Sequence, residues 1–224
     1  GREMHARIWK VAVGRTDLIL LDTDFENNAP EDRSVTHQLY GGDWENRIKQ
    51  ELLRGVGGVR ALRAMGFKPT IYHYNEGHAA FAGLERLREY MQTGKLSLNE
   101  ATELVRASSL YTTHTPVPAG HDAFDEATMG KYLGFYPQSI GIDWRTFMSF
   151  GKTNPDDHAA KFSMSVLAAN MSQNVNGVSM LHGKVSQDIF ADMYPGYLPE
   201  ELYISYVTNG VHYPTWAAKE WKSV

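Results

Sequence analysis

The chain has 224 residues, 42% of them hydrophobic, which is enough to bury the core of one large domain or two small ones. Its net charge is −4 and its basic residues form no run, so nucleic acid is not expected as a partner. The absence of cysteine excludes disulfide scaffolds, cysteine-ligated zinc and thiol catalysis. Because no apolar run approaches the roughly 20 residues of a membrane-spanning helix, we expect a soluble, cytoplasmic protein without a membrane partner.

The first elements form a predicted hairpin. Residues 5–13 and 17–22 have the apolar pattern of strands, and residues 14–16 form the turn between them. An apolar strand this near the first residue needs neighbours on both sides, and few residues precede it to supply them. We therefore expect the sequence to belong to a longer protein.

A long helix is predicted next. Asp43 is placed to cap it, and apolar residues recur at helical spacing over residues 44–66. Gly55, Gly57 and Gly58 lie inside this helix, where each glycine costs roughly 1 kcal/mol relative to alanine. Their presence indicates either a bend or close packing against a neighbouring backbone.

From residue 68 onward, short apolar strands alternate with helices, which favours a parallel sheet with helices on both faces. Each predicted strand ends in a polar segment, and these segments contain the sequences YNEGH, TTHTPVPAGH, NVNGVS and VTNGVH. In open α/β sheets, ligands bind beyond the carboxyl ends of the strands. Short hydrogen-bonding side chains at that edge suit a polyhydroxylated ligand.

The spacing of the histidines does not support a metal site. His73 and His78 are five residues apart across a strand-to-helix turn, whereas the helical zinc signature has two histidines four residues apart. His114 and His121 flank a loop, but no cysteine or tight carboxylate cluster accompanies them. The sequence also has no G-x-S-x-G elbow, G-x-G-x-x-G motif or Walker motif. We therefore predict no metal.

Several polar residues also have a structural interpretation. His73, inside an apolar strand, is expected either in the core or behind the site, where it would support residues that contact a ligand, with a ligand role of its own as the alternative. Glu76 suits a helix N-terminus, where a carboxylate is stabilised by about 0.3–1 kcal/mol, as well as a binding role. The same helix end disfavours a cation, so a neutral, hydrogen-bonding His78 is favoured over a structural one. For His114, which precedes a Thr-Pro pair, function is favoured, and Asn209 suits a turn or a binding site equally.

Four long motifs, in this order and spacing, resemble the alpha-glucan phosphorylases that act on glycogen, starch or maltodextrin, particularly the shorter bacterial and archaeal type. They are YHYNEGHAAF (72–81), LYTTHTPVPAGHDAF (110–124), NVNGVSMLHGKVSQDIF (174–190) and VTNGVHYPTW (207–216). The similarity covers nearly the whole chain. It implies a GT-B fold, with residues 1–210 as an incomplete N-terminal Rossmann-like domain and residues 211–224 leading to an absent C-terminal domain.

The resemblance also implies an enzyme. Members of this family cleave terminal α-1,4-linked glucose from glucans with phosphate and release glucose 1-phosphate. Their cofactor is pyridoxal phosphate, whose phosphate exchanges a proton with the substrate phosphate. A nucleotide-sugar glycosyltransferase of the GT-B fold and a non-catalytic glucan-binding module are the alternatives.

Site residues follow from the matched motifs. His114 matches the catalytic histidine that hydrogen-bonds the glucosyl unit at the cleavage point, and Asn209 matches the asparagine that holds the 6-hydroxyl of that sugar. Three residues match a stretch that lines the same pocket and are expected to bind substrate: Asn75, Glu76 and His78.

Two further residues are implied to lie at the edge of the site. Asp43 falls where the family has an acidic gate loop over the substrate, and Trp216 aligns with a tryptophan near the cofactor. The lysine that attaches pyridoxal phosphate lies outside the sequence, so we expect these 224 residues alone to be inactive. Exposed apolar surface also makes a homodimer an expectation.

Overall fold

The structure is a computed structural model that describes residues 3–39, 41–117 and 120–223. The outer ends of the two predicted domain segments, Gly1 and Val224, lie outside the described residues. The strands are β1 (Arg7–Val13), β2 (Thr16–Asp22), β3 (Tyr72–Asn75), β4 (Ser109–Thr112), β5 (Ala123–Phe124), β6 (Phe162–Ser163), β7 (Asn174–Gly177) and β8 (Ile204–Tyr206).

The helices fill the intervals between these strands. They are α1 (Pro30–Arg33), α2 (Trp44–Leu52), α3 (Gly58–Ala64), α4 (Phe81–Gln92), α5 (Leu98–Ala107), α6 (Glu126–Leu133), α7 (Tyr136–Ser139), α8 (Trp144–Ser149), α9 (Met164–Asn170), α10 (Met180–Ile189) and α11 (Tyr213–Trp216). Among the described residues, no helix has both the length and the apolar character that crossing a bilayer would require.

The central sheet is parallel, as the alternation of strands and helices predicts. Its order is β3-β4-β7-β8, and one buried row crosses it through residues that are direct partners in the register. That row consists of Tyr74, Tyr111, Val175 and Ile204. Because all four strands run the same way, their polar carboxyl ends meet at one edge.

At the edge strand β3, the two faces of the sheet differ. Tyr72 and Tyr74 are buried, whereas the alternating His73 and Asn75 are exposed. The core interpretation of His73 is therefore wrong, whereas the interpretation as a residue that supports the site is still open. In the described part of the chain, helices do not cover the second face at this strand. The error has a simple cause, since His73 follows an apolar residue but points to the opposite face from its buried neighbours.

A buried arginine joins β3 to β4 on the covered face. Arg86 of α4 is 1% exposed, and its guanidinium carbon lies 3.8 Å from the ring centroid of Tyr72. The same guanidinium donates hydrogen bonds to Ser109 Oγ (2.7 Å) and Tyr74 Oη (3.2 Å). Stacking and hydrogen bonding together compensate for the burial of its charge.

The predicted hairpin is confirmed. β1 and β2 pair antiparallel from Arg7 opposite Asp22 to Val13 opposite Thr16, with a two-residue turn whose Gly14 has φ of +59°. The hairpin forms a sheet of its own, and apolar side chains such as Trp9 remain about half exposed.

The predicted long helix is interrupted at its glycines. α2 begins after Asp43, whose carboxylate accepts a hydrogen bond from the main-chain N–H of Asn46 at 2.9 Å, so the predicted cap is confirmed. A π-helical turn (Leu53–Gly57) then separates α2 from α3. A Cβ added at Gly55 would lie 2.7 Å from the main-chain N of Ala82 in α4. Close packing against a neighbouring backbone therefore accounts for Gly55.

Replacing Gly55 by alanine is expected to lower the free energy of unfolding by about 1–3 kcal/mol, because the new methyl group overlaps the backbone of α4. The matched control is Gly58→Ala at the start of α3, where an added Cβ meets nothing within 4 Å. That variant should be more stable than the wild type by about 0.4–1 kcal/mol. Urea unfolding measures both, and equal effects of the two substitutions would contradict the packing explanation.

Candidate functional site

A row of polar side chains crosses three strands near the carboxyl edge of the sheet. The Nε2 atom of His73 lies 2.7 Å from the hydroxyl oxygen of Thr112, which in turn donates to Oδ1 of Asn176 at 3.0 Å. Because the hydroxyl hydrogen is given to Asn176, His73 is the donor in the first bond. His73 thus belongs to a hydrogen-bonded row that leads from β3 through β4 to β7.

Glu76 ties the loop after β4 to the end of β3. Its carboxylate accepts hydrogen bonds from the main-chain N–H of His114 and, at 3.1 Å, from the hydroxyl of Thr115. Its own main-chain N–H donates to the carbonyl of Thr112 at 2.9 Å. Glu76 makes no side-chain cap to the helical turn that follows it, so its carboxylate serves the loop rather than its own helix N-terminus.

The backbone of Glu76 is strained. Its φ is +71°, in a region that favours glycine and costs a residue with a Cβ about 1–3 kcal/mol. The next residue cannot easily move, because a Cβ at Gly77 would lie 3.2 Å from the main chain of both Met164 and Ser165 in α9. The surrounding packing and the bonds to the His114 loop hold this conformation in place.

His114 is held at its ring as well as at its main chain. The Nε2 atom lies 2.7 Å from Oδ1 of Asn75, and the residue is partly exposed. The structure therefore brings together Asn75, Glu76 and His114 as the sequence predicts. The other ring nitrogen, Nδ1, makes no hydrogen bond with the residues that the structure describes.

Asn209 lies at the same edge, two strands away. After β8, the main-chain N–H groups of Val207 and Asn209 donate to the carbonyls of Gly177 and Val178 at 3.0 and 3.1 Å. Asn209 is exposed, so its carboxamide is accessible from solvent. Anchoring to the end of β7, rather than a turn, fixes its position.

His78 belongs to a second, buried cluster behind this edge. Its Nδ1 atom lies 3.3 Å from Oδ2 of Asp122 and 4.0 Å from Oε1 of Glu51, and Arg47 pairs with Asp122. The two basic groups and two acidic groups come from α2, the turn after β3 and the loop after β4. His78 thus joins these three elements. Its partners in the structure are carboxylates that the sequence does not reveal.

The two carboxyl groups of this cluster titrate in opposite directions. Glu51 is 3% exposed, and burial, followed by the hydrogen bond and charge of Asp122, raises its pKa to about 9. Burial alone would also raise the pKa of Asp122, but hydrogen bonds from His78 and Glu51 and the charge of Arg47 hold it below its usual range. Glu51 is therefore protonated at neutral pH, beside the ionised Asp122.

The same cluster is the arrangement most like a metal site in the part of the chain that the structure describes. Ligand atoms of Glu51, His78 and Asp122 all lie within 4.8 Å of one another. However, Arg47 already pairs with the Asp122 oxygen and approaches Glu51 to 3.8 Å. Because a guanidinium supplies the positive charge and Glu51 holds a proton, the cluster is better suited to an ion-pair network than to a cation.

The remaining candidates lie apart from the polar row. Asp43 is exposed and caps α2, as described above, and Trp216 in α11 is 79% exposed. His121 contacts Oγ of Ser165 at 2.5 Å, and burial lowers its pKa. Its ring therefore packs inside the protein instead of joining His114 in a ligand site.

The sequence alone does not single out three residues of the buried cluster. Arg47 and Glu51 are four residues apart on one face of α2, a spacing that usually marks a solvent-exposed pair. Asp122 follows His121 directly in the quoted motif, which is the only local signal for it.

Together these features define an α/β protein with a hydrogen-bonding site at the carboxyl edge of a parallel sheet. Residues 60–220 match the family model described as carbohydrate phosphorylase, and the chain belongs to this family. The resemblance drawn from its motifs is thus confirmed.

Named relatives agree with this assignment. The chain is 44% identical to glycogen phosphorylase of Mycobacterium tuberculosis, over 97% of this chain and 26% of that protein. It is 41% identical to maltodextrin phosphorylase of Thermococcus litoralis, over 100% of this chain and 26% of that protein. It is 33% identical to glycogen phosphorylase of Aquifex aeolicus, over 97% of this chain and 31% of that protein. The chain spans about a quarter of the length of the first two of these relatives.

Glu51→Gln is expected to remove a pH dependence of stability. The pKa of Glu51 is about 9 in the folded protein against an ordinary value of 4.5, so between these values the folded state holds a proton that the unfolded state has lost. The contribution of Glu51 to the free energy of unfolding therefore falls as pH rises through this range, by at most about 1.4 kcal/mol per pH unit.

Urea unfolding between pH 5 and pH 9 measures this effect as the difference between wild type and variant. Stability of Glu51→Gln relative to the wild type should rise steadily with pH. The control is Glu103→Gln at an exposed position of α5, whose difference from wild type should be independent of pH. A constant difference for Glu51→Gln as well would show that Glu51 is ionised in the folded protein.

Proposed function

We propose that this chain forms one wall of the glucosyl-binding site of an alpha-glucan phosphorylase. Such an enzyme cleaves terminal α-1,4-linked glucose from a glucan with phosphate and releases glucose 1-phosphate. The family match and the names of the relatives support the reaction class. The observation that carries the site is the placement of His114 at the carboxyl edge, with its main chain bonded to Glu76 and its ring to Asn75.

Two side chains are proposed to touch the reacting sugar. His114 would hydrogen-bond the glucosyl unit at the cleavage point and stabilise the positive charge that develops there, together with its own main-chain carbonyl. Asn209 would hold the 6-hydroxyl through its exposed carboxamide. Both residues are accessible and lie on loops anchored to the ends of strands, which suits a pocket whose geometry must be fixed before the substrate binds.

The other predicted residues have proposed roles around this pair. Asn75, Glu76 and His78 form the wall beside the sugar, where the first two contact His114 and the third anchors the buried cluster. Asp43, at the N-terminus of α2, would contribute to a gate over the glucan. We also propose that residues 1–210 belong to the N-terminal Rossmann-like domain of a GT-B enzyme and that residues 211–224 lead to its second domain.

Pyridoxal phosphate is proposed as the cofactor of the whole enzyme, in which its phosphate group takes part in proton exchange. The residues present do not fit its covalent attachment here, because the segments at the carboxyl edge contain no lysine: 75–78, 113–122, 177–182 and 207–216. Trp216, with its exposed indole, is the one residue that we propose near the cofactor. We therefore propose that the attachment lysine lies outside this sequence, that the 224 residues alone are inactive, and that the whole enzyme acts in the cytoplasm as a homodimer.

In the whole protein that contains this chain, His114→Ala should lower kcat/KM for phosphorolysis of maltodextrin by about 100-fold or more, because a group that stabilises the transition state is lost. Asn209→Ala should lower it by about tenfold, the value of one hydrogen bond to the substrate. The control is His158→Ala at an exposed position between α8 and β6, which should have wild-type activity.

Release of glucose 1-phosphate from maltodextrin and phosphate is the assay. Turnover by the wild type with a sugar nucleotide but not with phosphate would identify a glycosyltransferase instead. Glucan binding without turnover of either kind would identify a binding module.

A further inference from the structure

We propose that Asn75 is a positioning residue that sets the tautomer of His114. Its side-chain oxygen keeps the proton of the neutral imidazole on Nε2, so that Nδ1 presents a lone pair to a hydroxyl group of the bound sugar. The part concerning the sugar rests on the proposed function, whereas the tautomer itself does not.

The first observation is the geometry of the pair. Oδ1 of Asn75 lies 2.7 Å from Nε2 of His114, a good distance for an N–H···O hydrogen bond. A neutral imidazole carries one N–H, and the partner of one nitrogen decides where that hydrogen resides. With an oxygen acceptor at Nε2, the hydrogen stays on Nε2 and Nδ1 becomes an acceptor.

The second observation is that neither partner can move away easily. Asn75 is the last residue of β3, where it pairs in register with Thr112 of β4. The main-chain N–H of His114 is bonded to the carboxylate of Glu76. Since the backbone and the ring of His114 have separate tethers, Asn75 can orient the ring without supporting the loop.

The third observation is the choice of an amide at this position. A carboxamide oxygen accepts a hydrogen bond but carries no charge, so it stabilises imidazolium much less than a carboxylate would. An imidazolium donates at both nitrogens and could not accept from a sugar hydroxyl. An uncharged acceptor beside Nε2 keeps the N–H on that nitrogen, so that Nδ1 can accept a hydrogen bond from a hydroxyl group. Asn75 therefore acts on the sugar through His114.

A neutron structure of the whole protein, exchanged into D₂O at mildly alkaline pH, tests the tautomer directly. We expect a deuteron on Nε2 of His114, pointing at Oδ1 of Asn75, and none on Nδ1. The same map locates the deuterons of the Asn75 amide. A deuteron on Nδ1, or an amide nitrogen of Asn75 facing His114, would overturn the proposal whether or not the protein is a phosphorylase.

Kinetics test the consequence for the substrate. Asn75→Ala should lower kcat/KM for maltodextrin by about tenfold. Asn75→Asp keeps an oxygen acceptor at Nε2 but places a carboxylate against the ring, which favours imidazolium. Its kcat/KM should therefore exceed that of Asn75→Ala mainly at alkaline pH. A merely structural role would not produce this shift of the pH profile.

The control is Asn174→Ala at an exposed position of β7, which should leave both kcat/KM and its pH profile unchanged. Equal activity of Asn75→Ala and wild type, or an Asn75→Asp profile identical to that of the wild type, would overturn the proposal. Absence of phosphorolysis in the wild type would instead refute the proposed function and leave the neutron result to decide the tautomer.

Discussion

The candidate site depends on one carboxylate, that of Glu76, which accepts the main-chain N–H of His114. Parallel strands bring the ends of β3 and β4 to the same edge, but adjacency alone does not orient the loops that leave them. Glu76 orients the loop after β4, because its carboxylate also accepts from the hydroxyl of Thr115 and its main-chain N–H donates to the carbonyl of Thr112. The side chain reaches the neighbouring loop because the backbone of Glu76 adopts a strained conformation with positive φ. Gly77, which has no Cβ, allows the close approach to α9 that holds this turn.

The buried cluster fixes the other end of the same loop. Glu76 holds residues 114 and 115, near the start of the segment, whereas Asp122 at its end pairs with Arg47 and His78, next to the protonated Glu51. Breaking a buried pair by removing one partner commonly costs several kcal/mol, so the cluster can hold this end of the loop firmly. A binding site is more precise when its loop is held at both ends.

Local signals in the sequence predict the local structure well. The hairpin and the Asp43 cap depend on residues that are close together in the sequence, and both are confirmed. The glycines of the long helix predict either a bend or close packing, and the structure shows that Gly55 packs against α4, a partner that the local sequence does not identify. The alternation of strands and helices predicts the parallel sheet and its polar edge. The core interpretation of His73 fails because an apolar neighbourhood in sequence does not tell which face of an edge strand a side chain occupies.

The sequence does not predict the buried cluster, because its contacts join segments that are far apart along the chain. Asp122 meets His78 across 44 positions and Arg47 across 75, and no local pattern encodes those meetings.

The most direct test of the site is a crystal structure of the whole protein with a maltooligosaccharide bound. We predict a terminal glucosyl unit within hydrogen-bond distance of His114 Nδ1 and of the Asn209 carboxamide. A glucan bound elsewhere, with both side chains facing solvent, would contradict the assignment.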